Sequence, residues 1–302
     1  MSFTMPLSKL FSKKESSDIL GVTLRQNSLT YCRLTQSDDK ATCKQMPVEG
    51  GNYVSTLASL KGSHHIDEGQ CHIVLSAQQS QIVQVDKPNV PDAEINAALK
   101  WQVKDLVNFS PDNMVVDYYD GPTLVSGAEK INVVCAEKSS LKEMVAQLLD
   151  DGFTVKSITT EEFAFASLVP VTEAATLLIC QQPNEEILLL IVKNGQLFFF
   201  RRLRGFMQIS SKNEDELTMG VIDALSLEVQ RSTDYFERQL KQAPIQSIQI
   251  IVPMATEAFL ARKLAENTNV PVELLVLPEG QDMQREFAAT IGATMLHAVG
   301  QG

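Results

Sequence analysis

Long apolar runs are missing from this chain. The longest, from Ile187 to Val192, has six residues, against the roughly 20 that a membrane-spanning helix needs. The first residues carry no secretory-signal pattern, and a cytosolic location is expected. Positive charge is in deficit: 26 Lys and Arg stand against 37 Asp and Glu, a formal net charge of -11. Such a balance supplies no general basic field for neutralising nucleic-acid phosphates. Cysteine is sparse. Cys32, Cys43, Cys71, Cys135 and Cys180 are odd in number and include no Cys-x-x-Cys pair. That pattern argues against a zinc site and leads to the expectation of reduced, buried thiols. Of the four histidines, His64 and His65 fall in a Gly-Ser turn, and His72 and His297 have no evident partners.

Motifs for nucleophilic or phosphate chemistry are also absent. The chain has no Gly-x-Ser-x-Gly elbow and no Gly-x-x-x-x-Gly-Lys loop. Glu161-Glu162 and Glu185-Glu186 are adjacent carboxylates. Neighbours on a chain do not flank one substrate, so a glycosidase-type acid/base pair has little support.

What is present is an ordinary globular composition, 44% hydrophobic and 21% charged, in 302 residues. That length accommodates two core-bearing lobes. Strands are predicted over 18–23, 29–34 and 41–46, then a helix over 53–60, a polar turn, and strands over 71–76 and 81–87. Pro91 opens a helix over 92–107 that carries Ile95, Leu99, Trp101 and Leu106. Strands over 114–119 and 130–135, a helix over 141–149, a strand over 155–159 and a helix over 161–168 follow. The opening pattern then recurs, with strands over 176–180, 187–192 and 197–202. Asn194-Gly195 forms the second hairpin turn. A long helix over 215–240 repeats Ile222, Leu225, Val229, Ser232 and Phe236 on one face. A strand over 248–252, a helix over 256–265, a strand over 272–276 and a helix over 283–297 complete the chain. Two units that open alike imply a duplicated α/β architecture around a cleft. The divisions are 1–15, a basic amphipathic tail; 16–170, a first lobe with an insert at about 71–150; and 171–302, a second lobe. In the tail, Phe3, Leu7, Leu10 and Phe11 beside Lys9, Lys13 and Lys14 fit a membrane-surface anchor. A frayed terminus is the preferred reading.

Three stretches carry a resemblance. The first is Val90-Pro91-Asp92-Ala93-Glu94-Ile95 through Trp101-Gln102, followed by Asn108-Phe109-Ser110-Pro111-Asp112 and Val116-Asp117-Tyr118. The second holds Glu228, Gln230-Arg231-Ser232 and Asp234-Tyr235-Phe236. The third is Val270-Pro271-Val272-Glu273. Together they resemble the PilM family of type IV pilus assembly proteins, especially its MshI branch from mannose-sensitive haemagglutinin (MSHA) pili. The match runs over nearly the whole chain from Asp18, with the Trp101 and Arg231 neighbourhoods its specific parts. It implies an actin-like, ribonuclease H-like duplicated fold of two lobes with an inserted subdomain in the first. Members that keep the motifs hold ATP in the cleft.

Here three motif positions depart from that pattern. The first phosphate hairpin has Thr23 and Arg25 in place of Asp and Gly. The second reads Cys180-Gln181-Gln182 in place of Asp-x-Gly. The adenosine loop reads Val252-Pro253-Met254 in place of consecutive glycines. Thr23 and Cys180 are poor substitutes for an oxygen ligand of a magnesium shell. Arg25 and Gln182 obstruct the close backbone approach that glycine allows, although Arg25 keeps a charge that pairs with anions. Pro253 removes an amide donor. The expectation is a pseudo-ATPase without a cofactor, ATP and magnesium not being expected. The alternative is a nucleotide-binding actin-like ATPase whose ATP state gates partner binding. Filament formation is a third class, but no longitudinal interface is marked.

The resemblance further implies a PilN-like bitopic inner-membrane partner, whose short N-terminal cytoplasmic segment docks near the inserted subdomain. Other platform proteins at the cytoplasmic face of the membrane are implied as well. Trp101, Phe109 and Tyr118 are the candidate partner-binding residues. Blander readings stand beside these. Trp101 is slightly better read as a core or inter-subdomain anchor. Glu228 and Arg231 read as a solvated i, i+3 pair worth about 0.2–0.5 kcal/mol. Arg201, Arg202 and Arg204 read equally as a strand end meeting solvent or as a patch facing acidic lipid or an acidic segment.

Overall fold

The computed structural model describes residues 18–35, 41–64, 66, 68–121, 130–278, 281 and 284–299, with side chains through 296. The 1–15 tail and His65 lie outside the described residues. In chain order the first half contains β1 (Ile19–Arg25), β2 (Ser28–Leu34), β3 (Thr42–Pro47), α1 (Tyr53–Gly62), β4 (Gly69–Leu75), β5 (Ser80–Asp86), α2 (Asp92–Gln102), β6 (Met114–Asp120), β7 (Lys130–Glu137), α3 (Lys138–Asp150), β8 (Phe153–Thr160) and α4 (Glu161–Ala166). The second half contains β9 (Thr176–Cys180), β10 (Ile187–Lys193), β11 (Gln196–Leu203), α5 (Glu214–Glu216), α6 (Ile222–Asp234), β12 (Ser247–Ile251), α7 (Glu257–Glu266), β13 (Val272–Leu274) and α8 (Ala288–Val299).

The duplication is visible in strand order. The first sheet runs β3-β2-β1-β4-β8 and the second β11-β10-β9-β12-β13. Each is an antiparallel meander of three strands joined to two parallel ones. The helix that leads back to a parallel strand covers one sheet face, as such connections require. Asn194 and Gly195 close the β10–β11 hairpin with φ of 52° and 70°, the left-handed pair that a two-residue hairpin demands.

Between the fourth and fifth strands of the first sheet sits a three-stranded antiparallel sheet, β5-β7-β6. One of its faces is covered by α2, whose Ile95, Leu99 and Val103 pack on Val85, Met114, Val116, Ile131, Val133 and Cys135. The flanking β4 belongs to the first sheet, and α3 packs with α1 and β8.

The two large sheets are joined by α4 and α8. One apolar cluster takes Cys32 and Val74 from the first sheet and Leu178, Leu188 and Leu190 from the second. Ala164 and Phe165 of α4 and Ile291 and Ala293 of α8 fill the space between. Small residues permit this approach: a Cβ on Gly292 would overlap the Ala164 carbonyl, and one on Gly21 would overlap the carbonyl of Thr290.

Four expectations change. The five cysteines are not all reduced: Cys32 and Cys43 form a disulfide, because the β2–β3 register sets them directly opposite. Cys71, Cys135 and Cys180 are buried thiols. The helix over 215–240 is interrupted, since Met219 and Gly220 leave helical geometry, Gly220 at φ 98°. Its apolar face nevertheless buries Ile222, Leu225, Val229, Ser232 and Phe236 as the spacing predicts. The last helix begins at Ala288, after a 3-10 turn at Arg285–Phe287. Trp101 is 64% exposed, because α2 turns the Ile95–Leu99–Val103 face inward and leaves Trp101 off it.

Overpacking a close approach costs more than filling open space. Gly292→Ala is expected to destabilise the protein by about 2 kcal/mol or more. Gly62→Ala, where a Cβ would meet nothing within 4 Å, is expected to be neutral or to stabilise by up to about 1 kcal/mol. Urea unfolding of both variants checks the contrast.

Candidate functional site

The β1–β2 and β9–β10 hairpins face each other across a cleft between the lobes. At the first hairpin Thr23 points away from the opening. Its hydroxyl bonds that of Thr290 on α8 at 2.8 Å, and Thr30 shares the same partner at 2.7 Å. Arg25 reaches across to the opposite hairpin. Its guanidinium donates to the Pro183 carbonyl, and its Nε lies 3.9 Å from the Glu185 carboxylate. The Arg25 carbonyl is held in turn by the Tyr53 hydroxyl at 2.6 Å, and Gln79 donates to that hydroxyl at 2.7 Å.

At the second hairpin the Cys180 thiol donates to the Leu188 carbonyl at 3.3 Å. Gln181 uses its side-chain amide on the carbonyls of Glu185 and Phe206. Gln182 donates to Glu161 at 2.5 Å. Glu161 and Glu162, both buried in the first turn of α4, converge on Arg202 of β11 at 2.6 and 2.7 Å. At the third motif position Glu257 accepts from the Val252 amide at 2.6 Å and pairs with Arg285 at 2.6 Å. Arg285 also donates to the carbonyls of Leu275 and Ile250. The amides of Gly205 and Phe206 are taken by Glu186. At the cleft mouth a cavity of about 330 Å³ is lined by Arg25, Ser28, Gln45, Pro183, Glu186 and Met207.

Three carboxyls therefore share the cleft interior with two guanidiniums. Burial and the neighbouring Glu161 push Glu185 up to about 8. Burial and Glu161 also raise Glu162, against the pull of Arg202. Burial works against the charge on Arg202, but Glu161 and Glu162 more than offset it and its pKa rises. Burial lowers that of Arg25.

A second feature lies on the small sheet. Alternation along β6 sends Met114, Val116 and Tyr118 toward α2, and Val115, Asp117 and Tyr119 to the opposite face. That face also carries Ile82 of β5 and Val134 of β7, both half-buried, and Val115 is 40% exposed. It looks toward the end of β8, because the Tyr119 ring meets Phe163 of α4 edge-on at 4.9 Å between centroids. Among the described residues the outer edge of β8 bears no further strand of the first sheet, and Ile158 on it is 38% exposed. From Tyr119 a cavity of about 710 Å³ continues past Phe163, Ser167, Leu197, Phe198 and Leu296. The Tyr119 hydroxyl is buried without a hydrogen-bond partner among the described residues.

The residues singled out in the sequence are thus divided. Thr23, Arg25, Cys180 and Gln182 come together around the cleft, and Val252, Pro253 and Met254 form the nearby loop pinned by Glu257. Trp101 stands on the exposed side of α2, while Phe109 and Tyr118 pack with the α2-facing core of the small sheet. Tyr119 was not singled out, although strand parity beside Val116 and Tyr118 marks it as the outward residue. The reading of Arg201, Arg202 and Arg204 as solvent-facing fails for Arg202, and Arg201 bonds Glu228 at 2.9 Å. Glu228 is largely buried and pairs with Arg231 as well. His64 is not simply solvated, since it bonds Tyr31, and the buried His72 bonds Ser157. Among the described residues no group of three His, Cys, Asp or Glu is arranged to hold a metal ion, and no helix is long and apolar enough to cross a membrane.

Two repeated five-stranded mixed sheets around a cleft, with a small antiparallel sheet inserted in the first, define an actin-like ATPase fold. Within that class the chain is similar to the solved structure of a PilM-PilN type IV pilus biogenesis complex, at a TM-score of 0.66 and 16% identity over 92% of this chain and 98% of that one. It is also similar to the cytoplasmic domain of EpsL, an inner-membrane component of the type II secretion system of Vibrio cholerae, at 0.53 and 15% over 95% and 96%. A Bacteroides thetaiotaomicron protein with an actin-like ATPase fold and unknown function matches at 0.50 and 12% over 94% and 98%. No protein-family model matches the sequence, and no curated protein does.

The raised Glu185 carboxyl has a stability consequence. It titrates near 4.5 when unfolded and about 8 when folded, so the folded chain binds more protons between those values. Its contribution to stability therefore falls as pH rises through that window. Thermal unfolding at several pH values should show this decline in the wild type and a flatter profile in Glu185→Gln. Superimposable profiles would contradict a raised Glu185 carboxyl.

Proposed function

We propose that this chain is a cytoplasmic scaffold of a type IV pilus assembly platform of the MSHA kind. It grips the N-terminal cytoplasmic segment of a PilN-like bitopic inner-membrane protein. The observation that carries this reading is the face of the small sheet turned away from α2, where Val115 is 40% exposed, together with the outer edge of β8, which bears no further strand among the described residues. Ile82, Val115 and Val134 offer apolar contacts there, beside the Tyr119 ring. An extended segment pairs its backbone with β8 and seats alternate side chains on that face. The similarity to a PilM-PilN complex supports the choice of partner.

The same reading makes the cleft a pseudo-active site. A triphosphate needs free backbone amides and a net positive cradle. Here the Val252 amide is spent on Glu257, and the Gly205 and Phe206 amides are spent on Glu186. The charged side chains nearby are paired with each other. ATP and magnesium do not fit these residues as they stand. The alternative, an ATPase whose nucleotide state gates partner binding, would require breaking the Arg202 pairs with Glu161 and Glu162.

Binding of a fluorescent peptide copying the N-terminal cytoplasmic segment of the PilN-like protein from the same organism tests this. Saturable binding is expected. Val115→Glu should weaken it about tenfold or more, as loss of a central apolar contact does. Val276→Glu, at an exposed position of the second lobe, should leave it unchanged. Absence of binding to folded wild type, or equal affinity for the Val115→Glu variant, would rule the groove out.

A further inference from the structure

The charged cluster in the cleft crosses from one lobe to the other at every link. Arg25 ends β1 in the first sheet, and its partners Pro183 and Glu185 lie in the β9–β10 turn of the second. Glu161 and Glu162 begin α4, directly after the last strand of the first sheet, and their partner Arg202 lies on β11. Gln182 adds a neutral link from the β9–β10 turn to Glu161. The side chains of Glu161 and Glu162 are 2% and 5% exposed, so neither is compensated by water. Elsewhere the lobes meet through α4 and α8, where Gly292 lies against Ala164 within a shared apolar cluster and Thr290 of α8 bonds Thr23 and Thr30 of the first sheet. Hinge or shear closure of lobes about such a packed layer also depends on the contacts made across the cleft mouth, away from it.

We propose that Arg25, Glu161, Glu162, Gln182, Glu185 and Arg202 form an interlobe clamp that holds the cleft in one closed arrangement without any ligand. The side chains themselves supply the cross-cleft attraction, so closure is a property of the folded chain rather than of a bound nucleotide. Two guanidiniums act in parallel. Arg25 ties the β1 end to the opposite hairpin, and Arg202 ties the start of α4 to the β11 strand. Removing Arg202 leaves two buried carboxyls without their lobe-spanning partner, and removing Arg25 breaks the tie to the Pro183 carbonyl and Glu185; either change favours water entry and opening. The clamp does not depend on the partner proposed above.

Spin labels on the two lobes read closure directly. Ser55→Cys on α1 and Ala265→Cys on α7 are exposed. The native cysteines do not compete, being disulfide-bonded or buried. Double electron–electron resonance on the doubly labelled full chain should give one narrow interlobe distance that magnesium-ATP does not shift. Arg202→Met should lengthen or broaden that distance. Arg25→Gln, which leaves the Arg202 pairs intact and is the milder change, should do so to a smaller degree. Distributions that match the wild type in folded Arg202→Met and Arg25→Gln would overturn the clamp. If Arg202→Met does not fold, an unchanged distribution in Arg25→Gln alone overturns it. A narrow wild-type distance that moves on adding magnesium-ATP overturns it as well.

Discussion

Two carboxylates buried side by side cannot both ionise without a cation beside them. Glu161 and Glu162 open α4 in that situation, and Arg202 is the cation. The start of α4 is a junction: it ends the first sheet, begins the layer between the lobes, and faces the β9–β10 hairpin. Arg202 therefore does more than neutralise charge. It specifies which strand of the second sheet lies against α4, and Gln182 and Glu185 are drawn into the same network. The dense α4–α8 crossing then needs only small residues to close, which Ala164 and Gly292 provide.

Much of the fold was readable in the sequence because it is written in local periodicity. Both meanders follow from β-rich runs split by turns, with Asn194-Gly195 the plainest signal. The face Ile222–Leu225–Val229–Ser232–Phe236 is buried as its spacing predicts. What was not readable depends on register or on distant pairing. Cys32 and Cys43 become partners only when β2 and β3 are aligned. Trp101 sits on a helix whose other residues fill the apolar face, and one-letter counting does not say which side a lone aromatic takes. The break at Met219 and Gly220 was signalled by glycine alone, against a strong helical period. The cleft was half legible. Its missing acidic and glycine residues stood out, but Arg202, Glu161 and Glu185 are far apart in sequence and meet only through the duplication.

On the small sheet, strand parity separates residues that stand side by side in the sequence. The sequence drew attention to Trp101, Phe109 and Tyr118, and two of these pack with the α2-facing core. Strand parity turns the neighbouring Tyr119 the other way, onto Phe163 and the larger cavity. Phe163 follows directly on Glu161 and Glu162, so the candidate groove and the charged cleft share one short helix. A segment seated against Tyr119 would lie beside the element that joins the lobes.

The central proposal is that charged side chains of the cleft pair with one another in place of a nucleotide. Isothermal titration of the folded protein with magnesium-ATP, at concentrations that reveal micromolar binding, tests it most directly. No heat beyond dilution is predicted. Stoichiometric binding would show that the ion pairs yield to a phosphate, and nucleotide-gated recruitment would then replace the scaffold described here.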